Sequence, residues 1–64
     1  MNSPEFANAV IDRLGGTAAA ARIFRVEMPT VSYYRRNGFP KPRLMFLEVA
    51  FSKLLKEVAA EFHR

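Results

Sequence analysis

The chain has 64 residues, no cysteine and a formal net charge of +4. That length supports one domain burying only about 60% of its unfolded surface, and the lack of cysteine excludes disulfides and thiolate metal sites as braces. Half of the residues are apolar, as in a globular fold, but no apolar run approaches the roughly 20 residues that cross a bilayer, and the start MNSPEF lacks the pattern of a secretion signal, so a soluble, cytoplasmic protein is expected.

Ser3-Pro4-Glu5 reads as a helix start: a hydroxyl acceptor, a proline suited to the first helical position, and a carboxylate at the positive end of the dipole. Phe6, Val10 and Leu14 recur at four-residue spacing with Ala9 beside them, and Asn8, Asp12 and Arg13 lie mostly outside that stripe. Gly15-Gly16 stops the helix, giving a first element over about residues 4–14. Thr17 is expected to cap a second helix over about 18–24, where the run of alanines favours helix and close approach, Arg22 points out, and Ile23 and Phe24 supply core mass. Residues 25–28 turn the chain. Pro29 can open a helix and biases Met28 away from helical backbone, so a third helix is placed over about 29–37.

At 100° per residue, Pro29, Ser32, Tyr33 and Arg36 share one face of that third helix. Val31 and Tyr34 take the opposite, core-facing side, helped by Val26, while Thr30 and Arg35 lie on the flanks. Asn37-Gly38 ends the helix. Phe39-Pro40-Lys41-Pro42 reads as a stiff, extended connector, with Phe39 plugging the core edge and Pro42 able to start the next helix. Leu44, Leu47, Phe51, Leu54, Val58 and Phe62 then recur at three- or four-residue spacing, bordered by Met45, Leu55 and Ala59. No glycine or proline interrupts residues 43–64, and the unbroken register favours one long helix over two helices split near Ser52. The expected fold is all-α, a bundle of four to five helices in a single domain.

The charge is unevenly spread. Residues 1–21 hold Arg13 against Glu5 and Asp12, and residues 44–64 hold Lys53, Lys56 and Arg64 against Glu48, Glu57 and Glu61. The excess sits between them, in Arg22, Arg25, Arg35, Arg36, Lys41 and Arg43 against Glu27 alone. A basic zone concentrated around one helix pair is the footprint of a polyanionic partner. Residues 17–36 thus read as a helix-turn-helix whose second helix offers a hydroxyl, a phenol and a guanidinium to the DNA major groove.

With these residues in view, the chain resembles the Cro/repressor class of phage and bacterial helix-turn-helix proteins, most of all the short Cro-like and antitoxin-like transcription regulators. The likeness spans about residues 9–47. It is carried by Gly15-Gly16-Thr17-Ala18, the small Ala21, Val26 after the turn, Val31-Ser32, and Tyr34-Arg35-Arg36-Asn37-Gly38-Phe39-Pro40. The resemblance implies a lambda-repressor-like bundle. It places the base-reading positions on Met28, Pro29, Ser32, Tyr33 and Arg36, and a phosphate-clamping helix start on Thr17. Arg25 stands where this motif usually has glycine, which predicts strain in the turn. Met28-Pro29 replaces the usual amide or hydroxyl opening of the recognition helix, so readout there would be apolar, for instance of a thymine methyl.

Arg36 is the candidate for a two-donor bond to a guanine edge, worth about 1–3 kcal/mol of discrimination. Thr17, Arg22, Arg25, Thr30, Arg35, Lys41 and Arg43 are candidate phosphate contacts, of which about half can face a duplex at once. His63 has no second ligand for a metal, and Glu57 and Glu61 read as a solvated face with Lys53 placed to bridge Glu57. No nucleophile–base set or phosphate-binding glycine loop occurs, so neither catalysis nor a cofactor is expected. The expectation is a repressor that occludes an operator in a bacterial or phage-infected cell. It would act as a homodimer, with half-sites roughly 34 Å apart, through the tail residues Phe51, Leu54, Leu55, Val58 and Phe62; a tail completing the monomer core is the competing reading. The alternatives are a protein-interaction module such as an antitoxin or small adaptor, and an excisionase-like architectural DNA-binding protein, a group whose helix-turn-helix is usually followed by strands.

Overall fold

The computed structural model describes residues 3–62, where the chain forms five helices: α1 Pro4–Arg13, α2 Thr17–Phe24, α3 Met28–Asn37, α4 Lys41–Ala50 and α5 Ser52–Phe62. No strand occurs among the described residues. The expected position of His63 lies outside them.

Ser3 starts α1 as its chemistry dictates, its Oγ accepting from the Phe6 N–H at 3.2 Å. The helix stops at the glycine pair. Gly16 N–H donates to the Ile11 carbonyl at 2.9 Å and Gly15 N–H to that of Asp12 at 3.1 Å, the paired bonds that satisfy a helix C-terminus. Gly15 has φ +112°, and a Cβ there would lie 3.1 Å from Ala19 Cβ. The backbone conformation therefore favours glycine, and a Cβ would also require Ala19 to give by a few tenths of an ångström.

The second helix ends with the same bonding but without a glycine. Val26 N–H donates to the Ala21 carbonyl at 3.0 Å and Arg25 N–H to that of Arg22 at 3.3 Å. Arg25 takes φ +58°, the one non-glycine residue at positive φ among those described. A side chain there costs roughly 1–2 kcal/mol, so the strain expected in the turn is present.

Several boundaries differ from expectation. Thr17 does not cap α2: the cap position is Gly16, no side chain fills it, and Thr17 is the first helical residue. The glycine pair has already turned the chain, so Ala20 N–H reaches the Gly16 carbonyl at 2.9 Å and the helix begins one residue early. Likewise Met28 is helical, and the extended residue ahead of α3 is Glu27. First-turn N–H groups have no partner within the helix, so Pro29 removes no bond there. The Glu27 carbonyl instead takes the Thr30 and Val31 N–H groups, at 3.0 and 3.4 Å. Lys41 and Pro42 belong to the first turn of α4 rather than to an extended connector, with Pro40 as the cap residue.

The tail is two helices, not one. Phe51 breaks the run at φ −132°, ψ +41°, and its carbonyl accepts from Leu55 N–H at 2.9 Å to open α5. Ser52 is thus the first residue of α5. A straight helix of about 20 residues would extend roughly 30 Å away from the bundle. The break returns α5 to α1, where Leu55 and Val58 are buried and Phe62 meets Phe6 edge-to-face at 6.0 Å. The apolar register that suggested continuity reflects burial against the same core on both sides of the break.

α1 packs on α2, α3 and α5. Its fully buried residues are Phe6, Ala7, Val10 and Ile11, whereas Ala9 and Leu14 are only half-buried. The expected stripe missed Ala7 and Ile11 because neighbours on two sides widen the buried arc. At the other end of the core Phe24 packs against Tyr34, Phe39 and Phe46 with ring centroids 5.9–6.0 Å apart, in tilted edge-to-face geometry. Phe39 plugs that edge as expected. Glu57 does not bridge to Lys53; Arg13 of α1 pairs with both Glu57 and Glu61.

Two substitutions check this account by chemical denaturation. Val58→Ala is expected to lower stability by about 2 kcal/mol, the scale of a fully buried Val side chain, if the tail completes the monomer core. Arg25→Gly is expected to raise it by about 0.5–1 kcal/mol, the left-handed strain relieved less the added chain entropy.

Candidate nucleic-acid interface

Burial divides α3 into two sides. Val31 is fully buried and Tyr34 nearly so, 5% exposed. Met28 and Tyr33 are 51% and 55% exposed, Pro29 and Arg36 are also exposed, and Ser32 is half-buried. The structure therefore gathers the five residues expected to read bases on the outer side of one helix. Among the described residues none of these side chains is spent on an internal ion pair. Asn37 secures the end of the helix, its Nδ2 donating to the Tyr33 carbonyl at 3.0 Å.

The seven candidate phosphate residues separate into different environments. Arg22, Arg25 and Lys41 are exposed and carry no ion pair among the described residues. Arg25 lies two residues ahead of α3, separated from it by Val26 and Glu27, and Lys41 follows α3 across the short link of residues 38–40. Thr30 is half-buried. Arg43 is half-buried, with its Nε 3.4 Å from Tyr34 Oη, a long contact that draws it toward the bundle.

Arg35 is turned inward. Its Nε donates to Thr17 Oγ1 at 2.9 Å, Nη1 to Asn8 Oδ1 at 2.7 Å, and Nη2 to Asp12 Oδ1 at 2.9 Å. Asn8 completes the clasp by donating from Nδ2 to the Arg35 carbonyl at 3.0 Å. One planar guanidinium thereby ties α3 to α1 and to the start of α2. Thr17 likewise has its hydroxyl oxygen accepting from Arg35, which leaves the hydroxyl its proton to donate and one further lone pair. Asn8 and Asp12, placed outside the core stripe by the sequence, are working members of this cluster. They lie one turn apart on α1, but no local pattern links them to a residue on α3.

No group of His, Asp and Glu side chains able to hold a metal occurs among the described residues, and none of the described helices is long and apolar enough to cross a membrane. No family model, curated protein or solved structure matches the chain.

Arg35 and Arg36 are adjacent in sequence yet differ in environment, and their substitution should separate accordingly. Arg35→Met is expected to cost about 1–2 kcal/mol in urea unfolding, because charge-assisted bonds are lost and Asn8 is left half-satisfied. Arg36→Met should stay within about 0.5 kcal/mol, as for an exposed side chain without partners.

Proposed function

We propose that this protein is a sequence-specific DNA-binding transcriptional regulator, a Cro-like repressor that occludes an operator without chemistry. The observation carrying this reading is the one-sided exposure of α3. Its core face is sealed by Val31 and Tyr34, while Met28, Pro29, Tyr33 and Arg36 are exposed and Ser32 is half-buried on the other side. A helix of about 10–12 Å diameter fits the major groove. Arg36 would bond a guanine edge, and Tyr33 and Ser32 a base edge or phosphate. Met28 and Pro29 would lie against thymine methyls. Arg22, Arg25 and Lys41 would neutralise phosphates, and Thr17 would donate its hydroxyl proton to one.

One short recognition helix makes few base contacts, so useful specificity favours a homodimer on a palindromic site. The fold removes Leu55 and Val58 from the expected tail interface by burying them in the monomer. It leaves α4 with an outward apolar side instead: Met45, Phe46 and Val49 are 56%, 40% and 85% exposed. Beside it a groove of about 240 Å³ is lined by Glu48, Ser52, Leu55, Lys56 and Ala59. Residues 44–64 carry balanced charge, so two copies can meet there without the repulsion their basic faces would impose. The same apolar side supports the second reading, an interaction module whose partner is another protein. An excisionase-like wing has no counterpart among the described residues, which hold no strand.

Selection of duplexes from a random pool at two salt concentrations tests the reading. A palindromic preference is expected, with affinity falling by orders of magnitude between about 50 and 200 mM salt. Tyr33→Ala/Arg36→Ala should abolish discrimination with the fold intact by circular dichroism; unchanged duplex binding by that variant sinks the groove assignment. Val49→Glu is expected to shift the protein to monomer in sedimentation and to weaken binding to the full palindrome more than to a half-site.

A further inference from the structure

We infer that Arg35 governs sequence discrimination as a positioning residue, by fixing the roll of α3 on α1 and α2, and that it is not a phosphate contact. This rests on the duplex-binding reading above.

α3 packs on α1 and α2, with its burial concentrated in two side chains. Val31 and Tyr34 are its two buried residues, and two points define a line about which a short helix can still roll. Dispersion and burial are non-directional and do little to resist that roll. Directional bonds do, and α3 has them on one flank. The guanidinium of Arg35 reaches Asn8, Asp12 and Thr17 at 2.7–2.9 Å, and Asn8 also holds the Arg35 backbone carbonyl. Side chain and main chain of the same residue are thus pinned to two other helices. Arg36, the candidate base-reading cation, is the next residue along the same backbone. Hydrogen bonds to base edges weaken steeply once the donor angle is lost, so a change of roll would degrade base contacts before phosphate contacts, which tolerate more displacement.

The geometry also explains why arginine is required. Lysine keeps the charge but is a point donor, whereas this site uses three directions of a planar fork. Asp12 has the opposite sign to a phosphate partner and is 68% exposed at its side chain. A carboxylate near a DNA-facing surface should on charge alone weaken binding; here it holds the fork.

The test compares wild type with Arg35→Lys, Arg35→Met and Asp12→Asn on a pool-selected duplex and on a scrambled duplex, well below each variant's melting temperature. Circular dichroism checks that each is folded. Arg35→Lys is expected to lose about tenfold or more on the selected duplex and under threefold on the scrambled one. Arg35→Met should lose at least as much while keeping the wild-type slope of affinity against salt, since a lost phosphate contact would lower that slope by about 0.9. Asp12→Asn should weaken binding to the selected duplex despite the loss of a negative charge. Wild-type behaviour of Arg35→Lys, a slope reduced by about one for Arg35→Met, or tighter binding by Asp12→Asn each overturns the assignment. If wild type itself binds neither duplex, the DNA reading fails separately. The clasp is then judged by NMR: Arg35→Lys must alter the nuclear Overhauser contacts between α1 and α3, and unaltered contacts overturn it too.

Discussion

Phe6, Ala7, Val10 and Ile11 are fully buried because α1 is covered by α3 on one side and α5 on another. That double burial is the constraint on which the rest of the molecule depends. Each of the larger side chains contributes on the order of 1.5–3 kcal/mol when removed from water, a large share of what a domain this small can muster. It explains why the tail must break at Phe51: only a returning α5 brings Leu55 and Val58 against α1. The aromatic cluster around Phe24 closes the opposite end with α3, α4 and the link between them.

With α1 committed to the core, α3 can be held from behind and left bare in front. Its attachment is unusual in its balance. Two apolar residues supply burial, and polar bonds from Arg35 supply direction. The turn ahead of it is strained at Arg25, where the bonding that ends α1 at Gly15 is repeated with a large cationic side chain in a conformation that suits glycine. Arg25 thus costs stability in the turn while carrying an exposed positive charge ahead of α3.

The surface is correspondingly divided. Among the described residues, Arg22 and Arg25 at the end of α2, Arg36 on α3, and Lys41 and Arg43 at the start of α4 carry no ion pair, as do Lys53 and Lys56 of α5, while Arg13 pairs with two carboxylates of α5. α4 leaves Met45 and Val49 exposed beside Glu48, and Phe46 is partly exposed although it packs against Phe24.

Local chemistry alone determined much of this. The start at Ser3, the stops at Gly15-Gly16 and Asn37-Gly38, the strain at Arg25, and the inward Val31 and Tyr34 with Tyr33 and Arg36 outward were all legible, because caps, glycine conformations and helical periodicity act over a few residues. What the tertiary structure decided were matters between residues far apart in the chain. Arg35 reads as one more cation beside Arg36 until α1 brings Asn8 and Asp12 to it across 27 and 23 positions. Glu57 has a plausible local partner in Lys53 until Arg13 arrives from 44 positions away. Residues 43–62 keep one apolar register whether the helix is continuous or folded back, since the same face meets the core in both cases. Only packing against α1 distinguishes the two, because only there does burial of Leu55 and Val58 outweigh the helical backbone conformation lost at Phe51.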